Sequence, residues 1–290
     1  MTQYDLHTHT CLSDGTLAPA ALVSRAAAAG IDVLAVTDHD CTDGLAEAAA
    51  EAVRQGIRLV PGVEISVTWE AHTIHLVGLG IDPAAPALDE GLRRLRKVRD
   101  WRALEMARGL EAAGIPGALD AVRALAGGPI LSRTHFARFL VAQGRARRVG
   151  DVYRRYLVRG RPGYVRVQWA GLGEAIGWIR AAGGEAVLAH PARYRLRRGD
   201  LERLLEAFRT AGGVALEVVS GSHPPDAVRR MARLARAFGL RASRGSDYHG
   251  PELNWFELGR LPPLPNGCVP VWADWAVAAP AAAAGLGTPA

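Results

Sequence analysis

The chain has 290 residues, of which 49% are hydrophobic and 22% charged, with a net charge of +6; this is ordinary for a globular protein and enough for one large barrel or two smaller domains. No apolar stretch approaches the ~20 residues that cross a bilayer. No basic segment with an apolar core, as in a signal peptide, opens the chain, so a cytoplasmic location without membrane contact is expected. Cys11, Cys41 and Cys268 are odd in number and lack zinc-motif spacing, which points to reduced thiols. Lys97 is the only lysine, so nearly all the positive charge is arginine. That surplus reads either as solvated surface or as phosphate steering, for which guanidinium forks are suited.

In chain order, Tyr4–His9 reads as a strand and Pro19–Ala29 as a helix that opens on proline and stops at Gly30. Val33–Thr37 is the next strand, Gly44–Arg54 the next helix, and Arg58–Val60 a short buried strand. Ile65–Thr68 and Thr73–Leu79 look like a local β-hairpin. The alternation resumes with helix Leu172–Ala182, strand Ala186–Ala189, helix Leu201–Ala211, strand Val214–Val219, helix Asp226–Phe238 and strand Arg241–Arg244. Glycines at 30, 56, 183, 212 and 239 close helices just before apolar strands, the punctuation of βα units in an α/β protein with a parallel sheet, open or closed. Between Leu88 and Tyr164 the pattern is helical throughout: Leu92–Ala113, Leu119–Ala126, Arg133–Gln143 and Val149–Leu157. The expected organisation is a discontinuous barrel over 1–87 and 165–275, a helical insertion over 88–164, and a disordered tail, rich in Ala, Pro and Gly, over 276–290.

Side chains in an extended segment alternate faces, so His7 and His9 point the same way and can grip one ion. The theme recurs where apolar runs end or turn: Asp14, Asp38-His39, Glu64, His75, His190, and Asp247 with His249. In a barrel of parallel strands such ends converge on one face. Histidine with carboxylate and no cysteine suits zinc, manganese or iron in a catalytic site, and the ligand count exceeds the need of one ion. His72 and His223 lack this context and read as surface residues. Glu217, inside an apolar strand, is either a further site carboxylate or a paired buried acid.

The motifs Asp-Leu-His7-Thr-His9, Ser-Asp14-Gly, Thr-Asp-His39-Asp, Gly-Val-Glu64-Ile-Ser, His-Thr-Ile-His75-Leu-Val-Gly, Ala-His190-Pro and Gly-Ser-Asp247-Tyr-His249 together resemble the PHP (polymerase and histidinol phosphatase) family. The insertion, with Ile-Leu-Ser-Arg133-Thr-His135, is similar to the branch that hydrolyses 3′,5′-nucleoside bisphosphates and trims RNA from the 5′ end. The resemblance implies a distorted (β/α)7-type barrel and a site for three divalent ions, manganese foremost, with iron, zinc or magnesium as alternatives. His7, His9, Glu64 and Asp247 would hold the first ion, and Asp14, His39 and His249 the second. Glu64, His75 and His190 would hold the third, with Glu64 bridging.

Such a site is electropositive and suits a phosphate, attacked in line by a hydroxide held between ions. The expected reaction releases the 3′-phosphate of a nucleoside 3′,5′-bisphosphate; a 5′-phosphorylated RNA end is the second expected substrate. Arg133 and His135 are candidates for the substrate's other phosphate, with Arg99 and Arg102 read equally as solvated helix surface. A histidinol-phosphate phosphatase would share the metal set and differ in substrate. A non-catalytic nucleic-acid-binding module would be expected to have lost ligands, and none is lost. The binuclear amidohydrolase type bridges its ions with a lysine from a mid-barrel strand, whereas Lys97 lies in a helical pattern. No protein partner is implied.

Overall fold

A computed structural model describes residues 2–194, 196–197, 199–252 and 256–275; the tail expected to be disordered lies outside them. The elements alternate as β1 (Tyr4–Asp5), α1 (Pro19–Ala28), β2 (Val33–Val36), α2 (Leu45–Gln55), β3 (Arg58–Trp69) and β4 (His72–Leu79). A helical stretch follows: α3 (Pro86–Ala112), α4 (Ala118–Leu125), α5 (Arg133–Ala142) and α6 (Val149–Val152), the last continuing as one π-turn through Leu157. The chain then returns through β5 (Ala170–Gly171), α7 (Leu172–Ala181), β6 (Glu185–Leu188), α8 (Asp200–Thr210), β7 (Ala215–Ser220), α9 (Pro225–Ala237) and β8 (Arg241–Gly245).

The strands lie in the order β1-β2-β3-β4-β6-β7-β8, with β5 paired to β3. The sheet nearly closes on itself: the Leu6 N–H donates to the Arg244 carbonyl at 3.0 Å and the Asp247 N–H to the His7 carbonyl at 2.9 Å, with Thr8 bridging Tyr248 in parallel. β4 runs antiparallel to β3, as the expected hairpin requires, and antiparallel to β6 as well, so the parallel sheet expected from the βα units is interrupted there. The two short strands expected at 58–60 and 65–68 are one strand of 12 residues. Pro61 reads as a break because it has no N–H to give. Here its carbonyl accepts from Gly80 and Ile81 while its ring sits in register with Val36 of the parallel neighbour. The strand expected at 4–9 stops at Asp5: beyond it the backbone pairs through isolated contacts such as the Thr8–Tyr248 bridge, and two of its N–H groups go to side chains, Thr8 to Thr37 Oγ1 and Thr10 to Asp38 Oδ1.

Period-two alternation sorts the apolar strand residues between two cores. Leu34, Val36, Leu76, Leu188 and Leu216 face the helices, against Leu22 of α1, Ile179 of α7 and Phe208 of α8. Val33, Ala35, Val60, Val77, Leu79 and Val187 face inward, joined by Leu6; Tyr4 stacks on Trp272 at 4.2 Å beside them. A third cluster, built on Met106, Leu110, Val122, Phe136 and Leu140, belongs to the helical stretch alone. Helix α3 serves two cores, since Leu88, Leu92 and Leu95 pack on the barrel and Met106 and Leu110 on the helices. Its start at Pro86 precedes the expected Leu92 because Gly91 accepts the Trp178 ring of α7, which a Cβ there would meet at 2.4 Å.

The β1/β8 seam needs Gly245, whose Cβ would lie 2.3 Å from the His7 Cβ. Gly245→Ala is therefore expected to cost about 1–3 kcal/mol and lower the melting temperature. Gly177→Ala, in exposed α7 with nothing within 4 Å of the new Cβ, should raise it, a helical glycine being about 0.5–1 kcal/mol worse than alanine. Thermal melts of both variants check the pair; equal shifts would contradict the seam.

Candidate metal and phosphate site

At the carboxyl ends of the strands the barrel interior changes from apolar to ionisable. His7 and His9 follow β1, His39 follows β2, His190 follows β6, and Asp247 and His249 follow β8. Glu64 and Ser66 share one face of β3, and the antiparallel register sets His75 of β4 opposite Ser66 on that same face. His190 (φ 30°) and Asp247 (φ 57°) sit in the left-handed region, which the surrounding structure must enforce for residues with a side chain.

Glu64 is the centre. Its Oε1 lies 2.9 Å from His75 Nδ1 and 3.0 Å from His190 Nε2. Its Oε2 lies 2.8 Å from His39 Nδ1 and 3.4 Å from the Nε2 atoms of both His7 and His9. Asp247 Oδ1 stands 3.2 Å from His9 Nε2, and Asp14 Oδ1 stands 3.2 Å from His249 Nε2. All nine residues expected as ligands thus surround one volume. Ligand atoms converge within 4.8 Å in three groups: His7, His9, Glu64 and Asp247; His9, Asp14, His39 and His249; and His39, Glu64 and His75. His190 is in none of the three and joins through Glu64.

Burial pushes His9 down to about 3, with neighbouring His249 adding to it, and pushes His75 down to about 4. For His249 burial would lower the value, but Asp14 and Asp247 together outweigh it and raise it to about 9. Burial likewise opposes ionisation of Asp14, Glu64 and Asp247, yet the facing imidazoles hold all three well below the usual carboxylate range. The neutral imidazoles of His9 and His75 and the ionised carboxylates are already in the forms that bind cations, whereas His7, His39 and His249, raised by the facing carboxylates, would give up a proton to do so. Asp14 Oδ1, Glu64 Oε2 and the Nδ1 atoms of His9, His39 and His190 are buried with no hydrogen-bond partner; His39 Nδ1 and Glu64 Oε2 are close but not aligned. Unsatisfied buried lone pairs facing one volume fit a metal centre.

A second row holds the first. Glu217 Oε1 lies 2.6 Å from His7 Nδ1, and Oε2 accepts the His190 N–H at 2.5 Å, which resolves this residue as the orienting acid of two site histidines. Asp38 accepts from Thr10 and Ser13 and ties down the loop before Asp14. Tyr194 Oη accepts the His75 N–H and donates to the Ala189 carbonyl.

The bowl opens into a cavity of about 460 Å³ whose far wall is basic. Arg99 and Arg102 lie over Trp169, and Arg133 over Tyr153. Arg99 is committed, bonding Asp40 Oδ2 at 2.6 Å and Ser66 Oγ at 2.8 Å. Arg102 has a buried Nε without a partner; burial and the neighbouring Arg133 and Arg99 lower its pKa well below the usual arginine range. A guanidinium held against its own kind is poised for an anion. Arg133 opens α5 and lines the cavity. His135 lies behind that lining: the residue is 1% exposed and its Nδ1 accepts the Ser132 N–H, closing the capping box of α5. Sequence reasoning missed Arg193, which bonds Asp247 Oδ2 at 2.5 Å, and Thr134, whose Oγ1 donates to Asp14 Oδ2 at 3.1 Å. Both lie within three residues of a motif position, at Ala-His190-Pro and Ser-Arg133, and proximity was their only signal. Cys41 is buried, and burial pushes its thiol up to about 12; all three cysteines are free.

Residues 5–123 match the PHP domain family. A 3′,5′-nucleoside bisphosphate phosphatase of Chromobacterium violaceum is 50% identical over 94% of this chain and 96% of its own length. A 5′-3′ exoribonuclease, Rnm, of Escherichia coli K12 is 47% identical over 94% of this chain and 93% of its own. A solved structure from C. violaceum, described as an amidohydrolase with bound sulfate and no metal, superposes with a TM-score of 0.90 at 50% identity over 93% of this chain and 95% of that one. No described helix is long and apolar enough to cross a membrane. With its fold, its ionisable bowl and relatives that match nearly end to end, the chain belongs to the PHP family of metal-dependent phosphoesterases.

Proposed function

We propose that the chain releases the 3′-phosphate of nucleoside 3′,5′-bisphosphates and trims 5′-phosphorylated RNA from its 5′ end, with three divalent ions, foremost manganese, in the bowl. The observation that carries this reading is a cavity with two ends suited to anions: the carboxylate–histidine bowl, and a wall where Arg102, beside Arg133, has no hydrogen-bond or ion-pair partner among the described residues. A substrate with two phosphates meets both ends at once; a simple monoester meets one.

His7, His9, Glu64 and Asp247 form the first ligand set, Asp14, His39 and His249 the second, and Glu64, His75 and His190 the third. Ions so held would polarise phosphoryl oxygens and make water a stronger nucleophile at neutral pH. Glu217 fixes the His7 ring and the His190 backbone. Arg193, on Asp247, is placed to meet phosphoryl charge at the bowl rim. Arg133 and Arg102 bind the non-reacting phosphate, and Arg99 holds that wall to β3 through Ser66 and Asp40. His135 positions Arg133 by capping its helix. Residues 88–164 act as one helical insertion that places the wall opposite the barrel mouth.

Phosphate release by the manganese-loaded protein should favour adenosine 3′,5′-bisphosphate over 5′-AMP and histidinol phosphate. Preference for histidinol phosphate would overturn the substrate reading and keep the metal site. Arg133→Ala should raise KM for the bisphosphate about tenfold or more, the loss of a charge-assisted contact, and leave KM for an aryl phosphate nearly unchanged. Equal effects would remove Arg133 from substrate binding. Glu217→Gln should weaken manganese binding about 10–100-fold, measured by calorimetry; unchanged affinity would contradict its orienting role.

A further inference from the structure

Residues 144–166 carry eight arginines and one acid, Asp151, and every one of those arginines is exposed. Asp151 is shared by Arg148 and Arg154. The guanidinium groups of Arg147, Arg159, Arg161 and Arg166 have no ion-pair or hydrogen-bond partner among the described residues. Three tyrosines, at 153, 156 and 164, interleave them. So dense a run of one sign repels itself and is relieved by a polyanion.

Its path starts at the candidate site. Tyr153, Arg159, Tyr164 and Arg166 line the cavity mouth. The next residues of the same helical turn, Arg154 and Arg155, turn to a second, shallow depression of about 480 Å³, floored by Gly144–Arg147. The 149–157 helix is therefore the ridge between the two, basic on both slopes. Tyr164 is 39% exposed, and the Arg155 guanidinium lies over the Tyr156 ring. Guanidinium groups spaced along a groove with aromatic faces among them fit a single-stranded nucleic-acid backbone and its bases.

We propose that the 144–166 segment is a sequence-independent track for single-stranded RNA, holding the backbone downstream of the 5′ end that occupies the cavity. The inference rests on the RNA half of the function proposed above. It makes the enzyme's use of RNA depend on length, while a mononucleotide bisphosphate never reaches the part of the track beyond the cavity, at Gly144–Arg147, Arg154 and Arg155.

The test uses the metal-loaded protein and a fluorescent, hydrolysis-resistant phosphorothioate RNA decanucleotide, with binding read by anisotropy over a salt series. The triple variant R145A/R147A/R154A alters the depression and none of the cavity lining. It should bind the decanucleotide about tenfold more weakly, with a salt slope shallower by about 2, three contacts at ~0.7 each for single strands. Its turnover of adenosine 3′,5′-bisphosphate should match wild type, which also shows that it folds. Equal decanucleotide affinity and equal slopes would overturn the track. So would loss of binding to anionic lipid vesicles with RNA binding intact, which would assign the arginines to a membrane surface. Because binding is read without turnover, a wild-type protein that binds the decanucleotide but releases no phosphate would fail the catalytic reading alone.

Discussion

One carboxylate, fully buried, faces five imidazoles: Glu64 lies within 3.4 Å of His7, His9, His39, His75 and His190. The five rings come from β4 and from segments following β1, β2 and β6, so the barrel must close for them to meet. A buried carboxylate flanked by Asp14 and Asp247 is tolerable only where positive charge compensates. Part of that compensation is protonation, seen in the raised His249 and His7; His9 and His75, held low by burial, stay neutral and available to a cation. Cations that bind the folded bowl and not the unfolded chain then add stability by mass action.

The helical stretch completes this centre as well as covering it. Thr134 of α5 bonds Asp14, and Arg99 of α3 bonds Asp40, two residues before which lies the Asp38 that anchors the Asp14 loop. Since α3 is packed into both the barrel core and the helical core, the basic wall is fixed relative to the bowl by a single rigid element. The spacing between the bowl and the basic wall is therefore set by α3 and Trp169, against which both Arg99 and Arg102 lie.

The residues that line the bowl were legible in the sequence because they are polar residues at the ends of apolar runs, where burial makes an ionisable group conspicuous. The helices were legible through their period and their closing glycines. The reversal of β4 was only half legible: the hairpin at 69–72 could be read, but its pairing with β6 is a long-range contact with no local signature. Glu217 stayed open because an acid in an apolar strand looks the same whether it orients a ligand or pairs elsewhere. The capping role of His135 was hidden for a related reason, since histidine at the third position of a helix can face outward or close a capping box, and the bond it accepts from the Ser132 N–H has no signature in the sequence.

The most direct test of a bowl organised by Glu64 is the number of manganese ions retained per chain, by equilibrium dialysis and elemental analysis, in the wild type and in Glu64→Gln. Three ions in the wild type and one in the variant, the one held by Asp14, His39 and His249, is the predicted result. A wild type that saturates at one ion, or a variant that keeps all of its ions, would contradict the account.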